Sequence, residues 1–389
     1  MAKRSVRALD VAHKRVLVRV DFNVPLDNGR VSDDTRIREA LPTIQYLIDQ
    51  GAKTILCSHL GRPKGQVVES MRLTPVARRL TELLGRPVQM APDCVGHEVE
   101  AAVALMQPGD VYLLENLRFH PEEEQNDPDF ARQLAALADI YVNDAFGAAH
   151  RAHASTEGVA HLLPAACGFL MEKELRYLGE VRDHPQHSFL AIIGGAKVSD
   201  KIGVLQRLLE QVDRLLIGGG MANTFLLAQG RAMGASLVET DKVPVAQDLL
   251  RQFPQKLVLP SDLVVTQRIE ADATFQVVEG NVPEGFAAVD IGEKTQGRFA
   301  QEIGVAKTIF WNGPMGVFEK PPFDRGTLAV ANAVASSGAT SIVGGGDSVS
   351  AVQRSGVADK ITHISTGGGA SLEFMEGRAL PGVEALPDV

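Results

Sequence analysis

The sequence predicts an α/β fold in which parallel sheets flanked by helices are repeated in two domains. Short runs rich in Val, Ile and Leu recur along the whole chain. Most are followed by a polar or glycine-rich turn and then a helical pattern, which is the rhythm of βαβ units. The 389 residues exceed one ordinary core, at roughly 150 residues per domain. A charged amphipathic segment stopped by proline lies near the middle, where a connection between domains is expected.

In the first half the strand candidates are 15–20 (RVLVRV), 53–57 (KTILC), 110–115 (DVYLLE) and 139–142 (DIYV). In the second they are 189–193 (FLAII), 214–217 (RLLI), 307–311 (KTIFW), 340–343 (TSIV) and 361–365 (ITHIS). Helices between them follow a 3.6-residue spacing. Ile37, Leu41, Ile44 and Leu47 share one face after a Ser32-Asp33-Asp34 cap region, and Pro42 is expected to kink or split that helix. Val198, Ile202, Leu205, Leu209 and Val212 form another stripe, which begins inside AIIGGAKVSDKI (191–202). Leu170, Glu174, Leu175 and Leu178 read as an amphipathic helix ended by Asp183-His184-Pro185, and its charge suggests a connector rather than a core helix.

Composition narrows the function classes. The three cysteines, Cys57, Cys94 and Cys167, are far apart and form no C-x-x-C pair, so neither a disulfide framework nor a thiolate zinc site is suggested and a reducing compartment fits best. The N-terminal residues lack a signal-peptide core, and the most apolar stretch, 159–171, is interrupted by His161 and Pro164. A cytoplasmic protein is expected. A net charge of −9 argues against nucleic acid or anionic membrane as a partner held by bulk electrostatics. Any anionic ligand must therefore be met by local positive groups.

Ligands of open α/β sheets bind beyond the carboxyl ends of the strands. There the two halves differ. The first half presents side chains: Asp21 and Asn23, His59 and Arg62, Arg118, then Asn143, Asp144, His150 and Arg151. The second presents glycines: Gly194-Gly195, 218–220, 344–346 and 367–369. Arginines with Asp and Asn suit a small oxygen-rich anion, whereas glycines let backbone N–H groups approach the phosphates of a nucleotide. Two half-sites imply two substrates.

Several of these residues have a plainer reading. A single glycine run is an ordinary βα turn, although four in one half weaken that view. Arg36 could be a surface ion pair. His150 and His153 lack a third ligand at zinc spacing, the acidic run 122–124 reads as a solvated loop, and Met221 and Met233 read as core filler. Lys197 at a helix start would oppose the helix dipole, with Lys201 on the same face one turn later, which makes sense if an anion sits there. Asp347 could be an N-cap or a carboxylate that holds Mg²⁺.

The stretches VLVRVDFNVP, SHLGRPKG, LLENLRFH, NDAFGAAHRAHAST, IGGAKVSDKI, LIGGGMANTFL, WNGPMGVFE and GGGDSVSAV are long, ordered and specific. With them the chain resembles the phosphoglycerate kinase family. The resemblance implies two similar-sized, Rossmann-like domains closing on a hinge. These are residues 1–168 for 3-phosphoglycerate, 169–186 as connecting helix, 187–371 for nucleotide, and 372–389 packing back on the first domain. It implies reversible phosphoryl transfer between 1,3-bisphosphoglycerate and ADP, with Mg²⁺, by a monomer. The implied 3-phosphoglycerate side is Asp21, Asn23, Arg36, His59, Arg62, Arg118 and Arg151. The implied nucleotide side is Lys197, Lys201, Gly219, Gly220, Asn312, Glu319, Gly345, Gly346, Asp347 and Ser348, with Asp347 on Mg²⁺ and Glu319 on the ribose. Arg36, Lys197 and Gly369 are implied at the phosphoryl group in flight. Departures are Glu122, where a glycine is usual, and Pro321-Pro322. A nicotinamide-dependent dehydrogenase would want G-x-G-x-x-G after an early strand, which is absent. A non-catalytic nucleotide-binding module would leave the first-half Arg, His and Asp unexplained.

Overall fold

The computed structural model describes residues 2–389 and contains two six-stranded parallel sheets flanked by helices. The chain divides into two compact units, one comprising residues through Arg176 together with Ala379–Val389, the other Tyr177–Arg378. The division falls inside the helix Phe169–Asp183.

In the first unit the strands lie in the spatial order Gln89–Met90, Val111–Leu113, Lys53–Cys57, Arg15–Arg19, Ile140–Asn143, Ala165–Cys167, every neighbouring pair parallel. Both faces are covered, so the central strands are near-continuous apolar runs. Val16, Leu17, Val18, Ile55 and Leu56 are fully buried. The chain order reverses direction between Arg15–Arg19 and Ile140–Asn143, which opens a crevice at their carboxyl ends. Residues 379–389 are tied to this unit by Lys3 Nζ, which donates to Leu386 O (2.9 Å), and by Asn143 Nδ2, which donates to Gly382 O (3.2 Å).

The helix Thr35–Asp49 is not split at Pro42. Pro42 is exposed, while Ile37, Ala40, Ile44 and Leu47 pack into the core on both sides of it. A helix-interior proline costs about 3 kcal/mol, and burial of each large aliphatic side chain returns about 1.5–3 kcal/mol. The helix Phe169–Asp183 is also more deeply set than a solvated connector, since Met171, Glu174 and Leu178 are fully buried.

In the second unit the spatial order is Leu257–Val258, Arg214–Ile217, Phe189–Ile193, Thr308–Asn312, Thr340–Gly344, His363–Ile364, again all parallel. This is a doubly wound arrangement whose reversal point lies between Phe189–Ile193 and Thr308–Asn312. Ile192, Leu216, Phe299, Ile309, Trp311 and Val343 fill its core. An antiparallel sheet in the order Gln276–Val278, Leu263–Thr266, Ala287–Ile291 is added to it in sequence before Thr308.

All nine expected strands are present, within one or two residues of the expected bounds. The strands of the two parallel sheets that were not anticipated, Gln89–Met90, Ala165–Cys167 and Leu257–Val258, lie at sheet edges and are too short to show a periodicity. No helix among the described residues is long and apolar enough to cross a membrane.

Candidate functional site

In the first unit the reversal point is lined with positive charge. Arg36, in the first turn of Thr35–Asp49, donates from Nη1 to Asp21 Oδ1 (3.1 Å), Asp21 Oδ2 (3.2 Å) and Asn23 O (3.1 Å). Asn23 Oδ1 accepts from the Gly61 N–H (2.9 Å), and Arg118 Nη1 donates to Gly61 O (3.0 Å). Asp21, Asn23, Arg36 and Arg118 are therefore joined in one network through the loop after Lys53–Cys57. His59 sits in the same loop, buried. Burial, then Arg19, Arg118 and Arg36, hold its imidazole well below the usual range, so it is neutral. Its Nδ1 lies 3.1 Å from Arg19 Nη2, a pure donor, so the proton is on Nε2. Arg62 is exposed and makes no hydrogen bond or ion pair among the described residues. Arg151 is exposed, with Nε donating to His150 Nε2 (3.3 Å).

Burial, with Arg19 and Arg151 nearby, pushes the Arg118 guanidinium down despite Glu124. Mutual repulsion among cations in a protein of net charge −9 marks a place that an anion would relieve. The strand-end residues Asn143 and Asp144 do not join it. Asn143 braces Gly382, and Asp144 accepts the Met171 N–H (3.1 Å) at the start of Phe169–Asp183.

The acidic run is not a solvated loop. Glu123 is buried, accepting from Ser155 N–H (3.0 Å) and Ser155 Oγ (2.6 Å). Arg19, fully buried in a central strand, donates from Nε to the same Ser155 Oγ (2.8 Å). Neither was singled out from the sequence. The signal was a lone arginine inside RVLVRV, since an arginine is almost never fully buried unless partnered.

In the second unit the stretch 195–201 is a turn, and the helix begins at Ile202 with Lys201 as its N-cap. Lys197 therefore does not stand in a first helical turn, and the i, i+4 relation to Lys201 does not hold. Two closely spaced glycines let the chain leave the strand by a longer turn than the apolar stripe suggested. Lys197 is exposed and makes no hydrogen bond or ion pair among the described residues. Lys201 folds back to donate from Nζ to Gly194 O (2.7 Å) and Asn312 Oδ1 (3.0 Å), with Asn312 O at 3.3 Å. Burial pushes its ammonium down to about 8.

The glycines are required by close approach. A Cβ on Gly219 would lie 2.6 Å from Gly195 O, one on Gly220 2.8 Å from Ala196 O, and one on Gly313 2.7 Å from Lys201 Nζ. The backbone loops thus pack against one another and leave a cavity of about 480 Å³, within the size range of small-molecule sites. Gly219, Gly220, Glu319 and Asp347 line it, as do the apolar Leu237, Pro260, Val289 and Ile291. The apolar wall comes largely from the antiparallel sheet, which sequence reasoning did not find. Asp290, also in the lining, accepts from the N–H groups of Gly326 (2.7 Å) and Ile291 (2.8 Å), and burial pushes its carboxyl up to about 7.

Asn312 Nδ2 is buried without a hydrogen-bond partner, facing the Gly344-Gly345 turn. Gly345 is the N-cap of Gly346–Arg354, so Asp347 is not the cap but an exposed first-turn residue making no cap bond. Burial, then the charge of Glu319, raises the Asp347 carboxyl, while Lys201 opposes the shift. Ser348 is buried, its Oγ accepting from the Gly313 N–H (2.7 Å). Gly369 is the exposed first residue of Gly369–Met375.

A family model described as phosphoglycerate kinase matches residues 6–378. A phosphoglycerate kinase of Moorella thermoacetica is 65% identical over 392 residues, covering all of both chains. That of Solibacter usitatus is 61% identical over 392 residues, covering 99% of this chain and all of the relative. Among solved structures, phosphoglycerate kinase from Coxiella burnetii is similar with a TM-score of 0.87 at 41% identity, and that from Pyrococcus horikoshii OT3 with 0.88 at 34%, each over 98% of both chains. The motifs, the two doubly covered sheets and these whole-length likenesses agree: the chain belongs to the phosphoglycerate kinase family.

Proposed function

We propose that this chain catalyses the reversible transfer of a phosphoryl group between 1,3-bisphosphoglycerate and ADP, giving 3-phosphoglycerate and ATP. The observation that carries the reading is the contrast between the two reversal points. One gathers cations that repel each other, which suits a small phosphorylated carboxylate. The other offers a glycine-walled cavity and, next to its Gly195 wall, a lysine bonded to the side chain that carries an orphaned amide donor, which suits a nucleotide and its phosphates.

Asp21, Asn23, Arg36, His59, Arg62, Arg118 and Arg151 would hold 3-phosphoglycerate. The neutral His59 would donate from Nε2, while the arginines neutralise charge. Gly219, Gly220, Asn312, Gly345, Gly346, Ser348 and Lys201 would hold the nucleotide, with Glu319 on the ribose hydroxyls. An acyl phosphate is already activated, so the transfer needs no nucleophilic Ser or Cys, only positioning and charge stabilisation. Arg36, Lys197 and Gly369 would stabilise the group in flight, and the unpartnered state of Lys197 supports that role. Burial and the charge of Glu319 hold the Asp347 carboxyl up, which a hard cation would relieve, and Asp347 would hold Mg²⁺, which when bound neutralises phosphate charge. The reading includes a cytoplasmic monomer, supported by the family resemblance.

A coupled assay with ATP and 3-phosphoglycerate tests the reaction. Turnover should require both substrates and vanish with EDTA. ATP consumption independent of 3-phosphoglycerate would overturn it. Lys197→Ala and Arg36→Ala should each lower kcat by about 10²-fold or more. Unchanged kcat with only a raised KM would make either an ordinary binding residue.

A further inference from the structure

Two neighbouring strands of the first sheet, Gln89–Met90 and Val111–Leu113, run parallel, so the loops beyond their carboxyl ends meet. The first loop carries Asp93 and Cys94. The second carries His120, just after the turn Leu117–Phe119 that contains Arg118. One ligand atom from each of Asp93, Cys94 and His120 lies within 4.8 Å of the other two. None of the three has a place in either half-site.

The cluster is held in shape from several sides. Asp93 Oδ1 accepts from the Cys94 N–H (2.7 Å) and lies 2.7 Å from His120 Nε2. The His120 ring packs on Phe130 with centroids 5.3 Å apart, and the Glu115 N–H donates to Asp93 O (3.3 Å). Cys94 is fully buried, whereas Asp93 and His120 are half-buried and give access from solvent. The local field is acidic. Burial, then Asp93 and Glu123, push the Cys94 thiol well up, and Asp93, with Glu122 adding to it, pushes the His120 imidazole up.

We propose that Asp93, Cys94 and His120 form a binding site for a borderline-soft divalent cation of the Zn²⁺ type. Carboxylate, thiolate and imidazole are the ligand set of such ions, and three protein ligands leave one tetrahedral position for water. Binding forms bonds to Cys94 Sγ, His120 Nε2 and an Asp93 carboxylate oxygen. The thiol proton, and the Nε2 proton when His120 is protonated, leave to solvent, so affinity falls as pH falls. Hard Mg²⁺ does not compete for a thiolate site. Occupancy ties the Asp93-Cys94 loop to the end of the turn that carries Arg118.

The test uses the full chain, freed of metal with a chelator and titrated with Co²⁺ as the probe. One equivalent should produce a thiolate-to-cobalt absorption band and raise the melting temperature, and Zn²⁺ should displace it. The band should vanish in Cys94→Ser and His120→Asn and persist in Cys57→Ser. Melting of each variant without metal is recorded first. If Cys94→Ser does not fold, His120→Asn at its half-buried position decides. No thiolate band with the unaltered chain overturns the proposal, as does a band that survives either folded ligand variant.

Discussion

Nucleotide binding should take up a proton from solvent, and Lys201 should be the group that accepts it. Its ammonium is held against Gly194 O and Asn312 Oδ1, and burial brings it down to about 8 from the 10.5 of a free lysine. A shift of that size corresponds to about 3 kcal/mol against the charged form. Without nucleotide the residue is then about 90% charged at pH 7, about 50% at pH 8 and about 10% at pH 9. A bound polyphosphate favours the charged form and restores the missing fraction. Near pH 8 each ADP should bind with uptake of about half a proton, and ADP affinity should fall about tenfold between pH 7 and pH 9. Because the folded value lies below the unfolded one, the unfolded chain binds more protons between about 8 and 10.5, so without ligand this group makes stability rise with pH through that window. Calorimetry at pH 8 in buffers of different ionisation enthalpy measures the uptake directly. Lys201→Arg keeps its charge at these pH values and should abolish both effects. Zero uptake in the unaltered chain, or the same uptake in the arginine variant, would refute the reasoning.

Three further outcomes are expected. Glu123→Ala removes the acceptor of two Ser155 donors and a buried acid that feels the charge of Arg19, and should cost about 3–5 kcal/mol by urea denaturation; a loss below about 1 kcal/mol would show that Arg19 does not depend on it. Gly194→Ala places a Cβ 2.0 Å from Pro314 O and 2.8 Å from Gly313 O, both backbone atoms. It should destabilise by about 3 kcal/mol or more, and an unchanged melting temperature would contradict the close approach. Asp290→Asn leaves one of the Gly326 and Ile291 N–H groups without its acceptor, at about 1–3 kcal/mol. It should raise KM for ADP without changing KM for 3-phosphoglycerate, and equal changes in both would mean that Asp290 supports the fold in general rather than the cavity.

What was legible in the chain was what repeats locally. Each long central strand is an apolar run because a parallel sheet buries both its faces, so FLAII and KTIFW declare themselves without any partner being known. The contrast between arginines after some strands and glycines after others was also on the surface of the sequence, since a crevice at strand ends takes its chemistry from the residues just beyond them. The stripe from Val198 to Val212 placed the helix correctly in its body but not at its start. The glycines of AIIGGAKVSDKI allowed a turn that only the packing of Gly219 and Gly313 against it could define.

The sequence by itself determined the fold class, the family and the residue types at each strand end. Tertiary structure decided which of those residues meet. Asn143 and Asp144 look like ligand residues in sequence but brace Gly382 and a helix start. Glu123 reads as a loop charge but is buried with Arg19 around Ser155, and Asp93, Cys94 and His120 share no spacing that would announce a cluster. The physical reason is the same in each case. Periodicity records whether a position faces water or core, whereas a hydrogen bond, a displaced pKa or a ligand set depends on atoms brought within a few ångströms by strand order, and strand order is written nowhere in the local sequence.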